Sequence, residues 1–251
     1  MKRILKLGVN IDHVATLRQA RYAQMSGSEL AEPSVLEAAR ACEAAGADSI
    51  TVHLRLDRRH IQDEDVRLLR RSIRLPMNLE LGNSKEIVDH ALEIQPASAC
   101  LVPENRQEVT TEGGLNAAGE RKALQPTISA LQKNGTRVSL FIDPDLDQVK
   151  AAADLGADMV ELHTGAYAVG SREGCPRELE RLIQAADAAH ALGIQVNAGH
   201  GIHVCNLPHL LGQVSHLAEL NVGHSLVSRA IFVGLQTAVE EMLARMQDYN
   251  P

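Results

Sequence analysis

The chain has 251 residues, of which 45% are hydrophobic and 23% are charged, and its formal net charge is −7 at pH 7. This composition is typical of a globular protein with room for one large domain. A chain that is acidic and has no Trp, two Phe and three Tyr lacks the basic surface and the stacking groups of a nucleic-acid binder. The amino-terminal residues reach Asn10 and Asp12 before any apolar run of signal-peptide length, and no window approaches a membrane span. We therefore expect neither a nucleic-acid partner nor a membrane partner.

The four cysteines stand far apart, at positions 42, 100, 175 and 205, and they form no CxxC pair. Clustered spacing would be typical of a disulfide framework or a metal site, and it is missing from this sequence. We therefore expect reduced, mostly structural thiols in a cytoplasmic protein.

One pattern recurs along the chain: an Ala-rich amphipathic stretch, a break that contains Gly, a short β-branched run and a polar residue. In the clearest copy, Val35 to Ala45 has apolar residues at helical spacing, Gly46 ends the helix, and the apolar run 49–52 leads into His53. Later copies lead into His163 and Asn197. Nearly apolar strands that are each followed by a helix indicate a parallel sheet covered by helices.

In chain order, the pattern predicts eight strands and eight helices. The strands fall near residues 5–11, 49–54, 77–81, 98–102, 137–142, 159–163, 194–197 and 217–221. The helices fall near residues 34–45, 63–73, 84–94, 118–133, 145–155, 175–192, 205–212 and 225–247. Eight such units favour an α/β fold that closes into a (β/α)8 TIM barrel, with an open doubly wound sheet as the alternative. No linker divides the chain, so residues 1–251 are expected to form a single domain, with long loops at 19–32 and 103–117.

Polar side chains mark the predicted carboxyl ends of the strands, where barrels of this kind form their active sites. Strand by strand they are Asn10, Asp12 and His13; His53 and Arg55; Asn78 and Glu80; Glu104; Asp143; Glu161 and His163; Asn197 and His200; and Asn221 and His224. A purely structural barrel has no reason to concentrate titratable groups at one end of its strands. We assign no function to His190, His209 and His216, which fall at the other end.

These strand-end residues differ in what they indicate individually. An aspartate such as Asp12 or Asp143 is more typical of a cap, and His163 is equally typical of a half-buried structural histidine. Glu80 and Glu161 indicate function more strongly, because a carboxylate inside an apolar strand needs a partner or a raised pKa. A carboxylate beside histidines in a partly dry cavity suits general acid–base catalysis near neutral pH.

Two glycine-containing loops predict phosphate binding. Gly199-His200-Gly201 follows the seventh strand, and Gly223-His224-Ser225 joins the eighth strand to the last helix. Glycine lets an anion approach backbone N–H groups, and a helix amino terminus favours negative charge. Cations are available on the opposite side of the rim, namely Arg18, Arg21, Arg55, Arg58 and Arg59. Two anion-binding regions across one rim suggest two phosphorylated groups.

A metal site built from His53, Glu80, His163 and His200 is a rival interpretation. The sequence has neither a His-x-His nor a His-Glu-x-x-His spacing, so the signal is weak and no metal is expected. Two alternative functions remain open at this point. One is a metal-dependent aldolase or isomerase for a sugar phosphate, and the other is a non-catalytic barrel that binds a phosphorylated ligand.

The sequence closely resembles the pyridoxine 5′-phosphate synthase family, the ring-closing enzymes of one vitamin B6 route. The stretches that carry the resemblance are GVNIDHVATLRQAR at 8–21, AGADSITVHLRLDRRHI at 45–61, MNLE at 77–80, LVPENRQEVTTEGGLN at 101–116, VSLFIDPD at 138–145, VELHTGAYA at 160–168, VNAGHGI at 196–202 and LNVGHSLVSRA at 220–230. They cover nearly the whole chain in order. Two departures are a longer segment at 22–32 and Leu56 in place of a commonly acidic residue, for which we expect only local rearrangement.

The resemblance implies a TIM barrel with extra helices, commonly assembled as a homo-octamer. It implies a transferase-class condensation of 3-amino-2-oxopropyl phosphate with 1-deoxy-D-xylulose 5-phosphate, without metal or organic cofactor. The products would be pyridoxine 5′-phosphate, inorganic phosphate and water.

The same resemblance implies roles for individual residues. His53 and Glu80 would be proton acceptors, His200 the proton donor and Glu161 a transition-state stabiliser. The aminoketone phosphate would be held by Asn10, Arg21, Gly201, Gly223 and His224. The deoxyxylulose phosphate would be held by Asp12, His13, Arg55, His60 and Thr110, the last on a loop that is a candidate lid.

Overall fold

The computed structural model describes residues 4–25, 28, 30–104, 113–169, 175–247 and 249–250. Its eight strands pair in parallel and in chain order, and β8 returns to β1, so the sheet is a closed barrel. The strands are β1 (Lys6–Asn10), β2 (Ser49–His53), β3 (Met77–Leu81), β4 (Ser98–Leu101), β5 (Arg137–Ile142), β6 (Met159–His163), β7 (Gln195–Gly199) and β8 (Leu217–Val222). This architecture confirms the predicted TIM barrel and rules out the open sheet.

Helices surround the barrel in the part of the chain that the structure describes. They are α1 (Asp12–Tyr22), α2 (Val35–Ala45), α3 (Asp63–Ser72), α4 (Lys85–Ile94), α5 (Arg121–Lys133), α6 (Leu146–Asp154), α7 (Gly165–Ala168), α8 (Pro176–Ala191), α9 (Leu207–Leu211), α10 (His224–Val233) and α11 (Leu235–Arg245). The predicted bounds of the strands and of the other helices hold to within three residues, and the exceptions are α1, α7 and the last predicted helix.

Helix α1 corrects the prediction of a long loop at 19–32. The helix starts directly after β1 and continues to Tyr22, so residues 19–22 of the predicted loop are helical. Its buried positions include Asp12 and Arg18. Charged residues on the buried side remove the apolar periodicity by which an amphipathic helix is recognised in a sequence. The short helix α7, one turn after β6, is missed because four residues carry no periodic signal.

The predicted helix at 225–247 is two helices. Gly234, with φ of 84°, ends α10 and immediately precedes α11. This left-handed conformation is accessible to glycine and costly for other residues, so the backbone turns at this position. Helix α11 then packs against α2 on the outside of the barrel.

Local signals in the sequence place the helix ends. Ser34 accepts a hydrogen bond from the backbone N–H of Glu37 and starts α2, and Gly46 ends it with φ of 92°. Asp145 caps α6 in the same way through the N–H groups of Asp147 and Gln148. The serine and aspartate caps thus fix where α2 and α6 begin, and Gly46 ends α2 shortly before β2.

Strand register decides which polar side chains become neighbours. His53 pairs with Glu80 across β2 and β3, and Glu80 pairs with Cys100 on β4. On the other side of the barrel, Phe141 pairs with Glu161 across β5 and β6. Because side chains alternate between the two faces of a strand, this register directs the catalytic candidates towards the same interior.

The fold also bears on the cysteines and on membrane association. All four cysteines are free, and Cys42 and Cys100 are buried. Within the described ranges, no helix combines the length and the apolar character that crossing a membrane requires.

Candidate active site

A cavity of about 540 Å³ opens at the carboxyl ends of the strands. The residues that line it are Asn10, Asp12, His13, Thr16, His53, Arg55, Arg59, His60, Glu80, Val102, Phe141, Glu161, His200, Gly201, Ile202, His203, Asn221, Val222, Gly223, His224 and Ser225. The cavity therefore joins groups from β1, β2, β3, β6, β7 and β8, and it contains twelve of the fourteen site residues predicted from the sequence.

His53 and Glu80 lie beside each other on one wall of the cavity. His53 Nδ1 lies 3.9 Å from Glu80 Oε2, and its Nε2 lies 3.2 Å from Glu104 Oε1. The backbone N–H of His53 donates to Asp12 Oδ1 at 2.8 Å, which fixes the main chain at the end of β2. Burial, assisted by the charges of Glu161 and Asp12, raises the pKa of Glu80 well above its usual value. Burial therefore favours the protonated form of Glu80.

Glu161 lies deeper in the barrel and is held by an amide. Asn221 Nδ2 donates to Glu161 Oε2 at 2.6 Å, and Gly199 leaves the space beside the other carboxylate oxygen, because a Cβ there would lie 2.2 Å from Glu161 Oε1. Burial raises the pKa of Glu161 to about 7, although the hydrogen bond from Asn221 acts in the opposite direction. A carboxyl group with this pKa can either hold or release a proton under physiological conditions.

His200 directly follows β7, and its ring packs against those of Phe141 and His163, which also contact each other. Its ring centroid lies 5.1 Å from that of His163 and 6.3 Å from that of Phe141. Its backbone has φ of 76°, a conformation that is costly for a residue with a side chain and that is found disproportionately at functional sites. Burial lowers the pKa of His200 to about 4, and the neighbouring histidines act in the same direction. The imidazole is therefore neutral at pH 7 in the unliganded protein.

His163 itself is held by Asp143 and does not line the cavity. Its Nδ1 lies 3.2 Å from Asp143 Oδ1, and its buried Nε2 has no hydrogen-bond partner among the described residues. The alternative of a supporting histidine, which the sequence left open, fits this position behind His200.

The two predicted phosphate loops meet at the cavity. Gly201 has φ of 80°, and Gly223 directly precedes α10, whose amino terminus faces the same space. A Cβ at Gly223 would lie 3.0 Å from the Cβ of Asn10, so a larger residue would crowd β1. His13 and His224 pack edge to face here with ring centroids 4.9 Å apart. Burial and the proximity of His224 lower the pKa of His13.

The arginines of the predicted cationic side have different environments. Arg55 is buried and lines the cavity with Arg59, and Asp57 bonds to both guanidinium groups. Although burial opposes ionisation of Asp57, these hydrogen bonds lower its pKa. Arg55 and Arg59 are therefore oriented by one shared carboxylate, at the mouth of the site.

The remaining arginines serve other contacts. Arg18 forms a buried two-point ion pair with Asp65, with N–O distances of 2.7 and 2.6 Å, and holds α1 against α3. Arg58 pairs with Asp63 and Glu86. Arg21 is exposed in the last turn of α1 and does not line the cavity. Thr110 lies outside the described residues.

The residues that could bind a metal in the structure differ from those that the sequence suggested. Among the residues that the structure describes, Asp12, His53 and Glu80 place their possible ligand atoms within 4.8 Å of one another. His163 and His200, which the sequence grouped with His53 and Glu80, are not part of this group. Two of its members already have partners, since Asp12 accepts from His53 N–H and Asn10, and His53 contacts Glu104.

Comparison with known sequences decides the family. Residues 7–248 match the family described as pyridoxal phosphate biosynthesis protein PdxJ. The pyridoxine 5′-phosphate synthase of Akkermansia muciniphila is 59% identical over 94% of this chain and 96% of its own length. That of Opitutus terrae is 50% identical over 97% of this chain and 99% of its own length.

The chain belongs to the PdxJ family of pyridoxine 5′-phosphate synthases. Among solved structures, the N-(5′-phosphoribosyl)anthranilate isomerase of Pyrococcus furiosus superimposes with a TM-score of 0.62, covering 97% of this chain and 99% of that one. Its 15% sequence identity makes this a likeness of fold alone. The family resemblance drawn from the motifs is thus confirmed.

Several residues in the site of this PdxJ protein were not selected from the sequence. Phe141 forms part of the cavity wall. It is paired with Glu161 across β5 and β6, so the position of β5 beside β6 is what could have indicated it. Cys100 is paired with Glu80 across β3 and β4. Burial, together with the charges of Glu161 and Glu80, raises the pKa of its thiol, which makes the thiol unreactive. Glu104 was recognised only as a strand-end residue, because its contacts lie at the ends of two other strands, β2 and β3.

Proposed function

We propose that this protein condenses 3-amino-2-oxopropyl phosphate with 1-deoxy-D-xylulose 5-phosphate and closes the pyridine ring of pyridoxine 5′-phosphate. Inorganic phosphate and water are the other products. The observation that carries the proposal is that one cavity contains both anion-binding loops, two oriented arginines and four acid–base side chains. Its volume of about 540 Å³ lies within the range of pockets that enclose small ligands.

The residue roles follow the resemblance where the cavity supports them. His53 and Glu80 accept protons, His200 donates one and Glu161 stabilises charge in the transition state. The aminoketone phosphate binds at Asn10, Gly201, Gly223 and His224, and the deoxyxylulose phosphate binds at Asp12, His13, Arg55 and His60. Arg21 and Thr110 are retained as substrate-binding residues on the resemblance alone.

Ring closure requires repeated proton transfers on neighbouring atoms. The amine must lose protons as it attacks a ketone, and hydroxyl and phosphate groups must gain protons or positive partners as they leave. Several acid–base groups around one cavity serve this chemistry better than one strong nucleophile. Phosphate groups anchored at both ends of the cavity hold the reacting carbons together between them.

Substrate binding changes the protonation of two catalytic residues. In the unliganded protein burial favours the protonated form of Glu80, because it raises the pKa of that group, and it keeps His200 neutral, because it lowers the pKa of the imidazole to about 4. A bound phosphate favours the imidazolium form of His200, and a bound ammonium favours the carboxylate form of Glu80. Each residue therefore reaches its catalytic state when the charged substrate is bound.

The proposal includes assembly as a homo-octamer in the cytoplasm and catalysis without a metal or an organic cofactor. The free cysteines are in keeping with a reducing compartment. Exposed apolar side chains on helices α1 and α10, namely Leu17, Ile231 and Phe232, offer surface for association. Sedimentation velocity of the purified protein tests the octamer.

Turnover with the two phosphates tests the reaction. Purified protein should release inorganic phosphate and form a pyridoxine chromophore only when both substrates are present. Silence with fresh substrates would overturn the proposal, and tight binding without turnover would favour the non-catalytic barrel. Because Asp12, His53 and Glu80 can approach a cation, the assay is repeated in chelator with elemental analysis. Loss of turnover that stoichiometric metal restores would favour a metal-dependent reaction.

A further inference from the structure

Glu104 forms three contacts at the barrel rim although it is not one of the four proposed acid–base residues. It follows β4, and its side chain reaches over the ends of β2 and β3. Its Oε1 accepts a hydrogen bond from the backbone N–H of Gly82 at 3.1 Å and lies 3.2 Å from His53 Nε2. Its Oε2 accepts from the backbone N–H of Leu56 at 3.1 Å. The side chain is 17% exposed, so water has limited access to these bonds.

The site is shaped for this carboxylate. A Cβ at residue 82 would lie 2.8 Å from Glu104 Cδ and 2.9 Å from its Oε1. Such contacts are closer than van der Waals packing permits, so any residue with a side chain would displace the carboxylate. Gly82 thus both donates a hydrogen bond and leaves the space that the carboxylate occupies, which explains the glycine directly after β3.

The contact fixes which nitrogen of His53 carries hydrogen. An ionised carboxylate accepts hydrogen bonds only, so Nε2 must be the donor towards Glu104. In the neutral imidazole, the lone pair then lies on Nδ1, the atom that faces Glu80 Oε2 at 3.9 Å. Nδ1 is thereby presented to the cavity as a proton acceptor.

The side chain of Glu104 is ionised at neutral pH. Burial favours its neutral form, but the hydrogen bonds from His53 and Leu56 and the charge of Arg55 outweigh it and lower the pKa of Glu104. Glu104 is therefore a carboxylate at neutral pH.

We propose that Glu104 is a positioning residue that holds His53 in the Nε2–H tautomer and aims Nδ1 at the substrate. The inference rests on the proposed function of His53 as a proton acceptor. Glu104 acts through the imidazole and through two backbone N–H groups, and it touches no reacting atom. Orientation of a catalytic imidazole by a carboxylate is a general device in enzymes, and its loss reduces the rate through the wrong tautomer.

The test measures the His53 tautomer directly, by ¹⁵N NMR of full-length protein labelled on histidine, with a His53→Gln variant to assign the signal. The wild type should show protonated Nε2 and unprotonated Nδ1 at a pH where the ring is neutral. In Glu104→Gln, an amide NH₂ must face a backbone N–H or the imidazole, so the Nδ1–H tautomer should gain population. Gly82→Ala should cause the same shift while the charge of Glu104 remains.

The kinetic arm separates positioning from a structural role. For Glu104→Gln, kcat should fall at least about tenfold while KM for both phosphates stays within about twofold. Glu120→Gln is the matched control, since Glu120 is an exposed carboxylate beside the same loops and should leave tautomer and kcat unchanged.

Three results would overturn the inference. The first is an Nδ1–H tautomer in the wild type, which decides the matter even if a variant does not fold. The second is an unaltered tautomer in both folded variants. The third is a KM increase without a change in kcat. Failure of turnover in the wild type would instead refute the proposed function. The NMR measurement needs no substrate, so it would still decide whether Glu104 sets the tautomer of His53.

Discussion

The hydroxyl of Thr164 lies within hydrogen-bond distance of the carbonyl oxygen of His200 and thereby holds a strained backbone in place. Thr164 is fully buried, and its Oγ1 also lies 2.7 Å from the carbonyl oxygen of Gly199. His200 has φ of 76°, which costs on the order of 1 kcal/mol or more unless the surroundings enforce it. The position of the His200 imidazole therefore depends on a residue at the end of the preceding strand.

Thr164→Val should release this constraint. Valine has nearly the shape of threonine but cannot donate a hydrogen bond, so His200 should relax towards an ordinary backbone conformation. We expect kcat to fall about tenfold, because small misplacements of catalytic groups are costly in rate. Steady-state kinetics check this, with Thr127→Val on α5 as the control, whose hydroxyl bonds Asn83 away from the cavity. Equal kcat values for the two variants would contradict the role of Thr164.

His53→Ala should abolish proton abstraction and leave substrate binding intact. The imidazole is buried in the cavity wall, whereas the anion-binding loops belong to β7 and β8. Loss of a general base lowers the rate by roughly 10²–10⁴-fold. Turnover and calorimetric binding of each phosphate measure the two effects, and His209→Ala, at an exposed position of α9, is the control. A near-normal rate would show that His53 is not the base.

Phosphate should change the protonation of His200. Its pKa is lowered to about 4 chiefly by burial, so the unliganded protein keeps this ring neutral at pH 5–6. A dianion bound at Gly201 and Gly223 stabilises the imidazolium, so the pKa should rise towards or above its ordinary value near 6.5. NMR titration of the His200 ring with and without inorganic phosphate measures this. An unchanged titration curve would place the anion elsewhere.

Glu161→Gln should stabilise the unliganded protein at high pH. The folded-state pKa of about 7 exceeds the ordinary value of 4.5, so the folded chain binds more protons than the unfolded chain between these values. Stability from the wild-type carboxyl group is therefore complete below pH 4.5 and is lost as pH rises through 7. Glutamine stays neutral throughout, and its advantage at pH 8 should reach on the order of 3 kcal/mol.

Urea unfolding of the wild type and of Glu161→Gln at pH 5 and pH 8 checks this prediction. The Glu161→Gln variant should have no turnover at either pH. Glu120→Gln, on an exposed carboxylate, should show no pH-dependent gain. A Glu161→Gln variant that is less stable than the wild type at pH 8 would mean that the carboxylate has partners that offset its burial.

Gly8→Ala should destabilise the barrel from the inside. A Cβ at this position on β1 would lie 2.1 Å from Asn221 Oδ1 and 2.7 Å from Ser49 Oγ, so the polar interior must move. Overpacking of this kind costs about 1–3 kcal/mol. Thermal unfolding measures it against Gly113→Ala, where nothing lies within 4 Å of the added atom. Since Asn221 also holds Glu161, the variant should lose activity as well, and equal melting temperatures for both variants would contradict the crowding.

The barrel was predictable from the sequence because its signals are local and repeated. The glycine after α2 and the strand residues of β2 stand next to each other in the chain, and the arrangement recurs at Gly135, Gly156 and Gly193. Helix α1 was not predictable in this way, because Asp12 and Arg18 lie on its buried side and Arg18 is neutralised by Asp65, which is 47 residues away. The break at Gly234 was hidden by helix-forming residues on both sides.

The site was predictable as a set of strand ends but not as a set of contacts. Glu80 and Glu161 stood out because carboxylates are rare inside apolar strands, and both line the cavity. The partners of each group come from distant parts of the chain, as the bond between Asn221 and Glu161 across 60 residues shows. Likewise Arg18 and Arg58 resembled phosphate ligands in the sequence, whereas the structure places them in ion pairs.

The pairing of β1 with β8 has a consequence for how the protein is made. Gly8 on β1 lies opposite Asn221 on β8, and Gly223 just after β8 abuts Asn10. Strand β1 therefore completes its part of the pocket only after β8, which lies far along the chain, has been synthesised. A nascent chain or a truncated product that lacks β8 and the residues after it has neither the amide of Asn221 beside Glu161 nor the amino terminus of α10 at the cavity, so the proposed reaction requires the closed barrel.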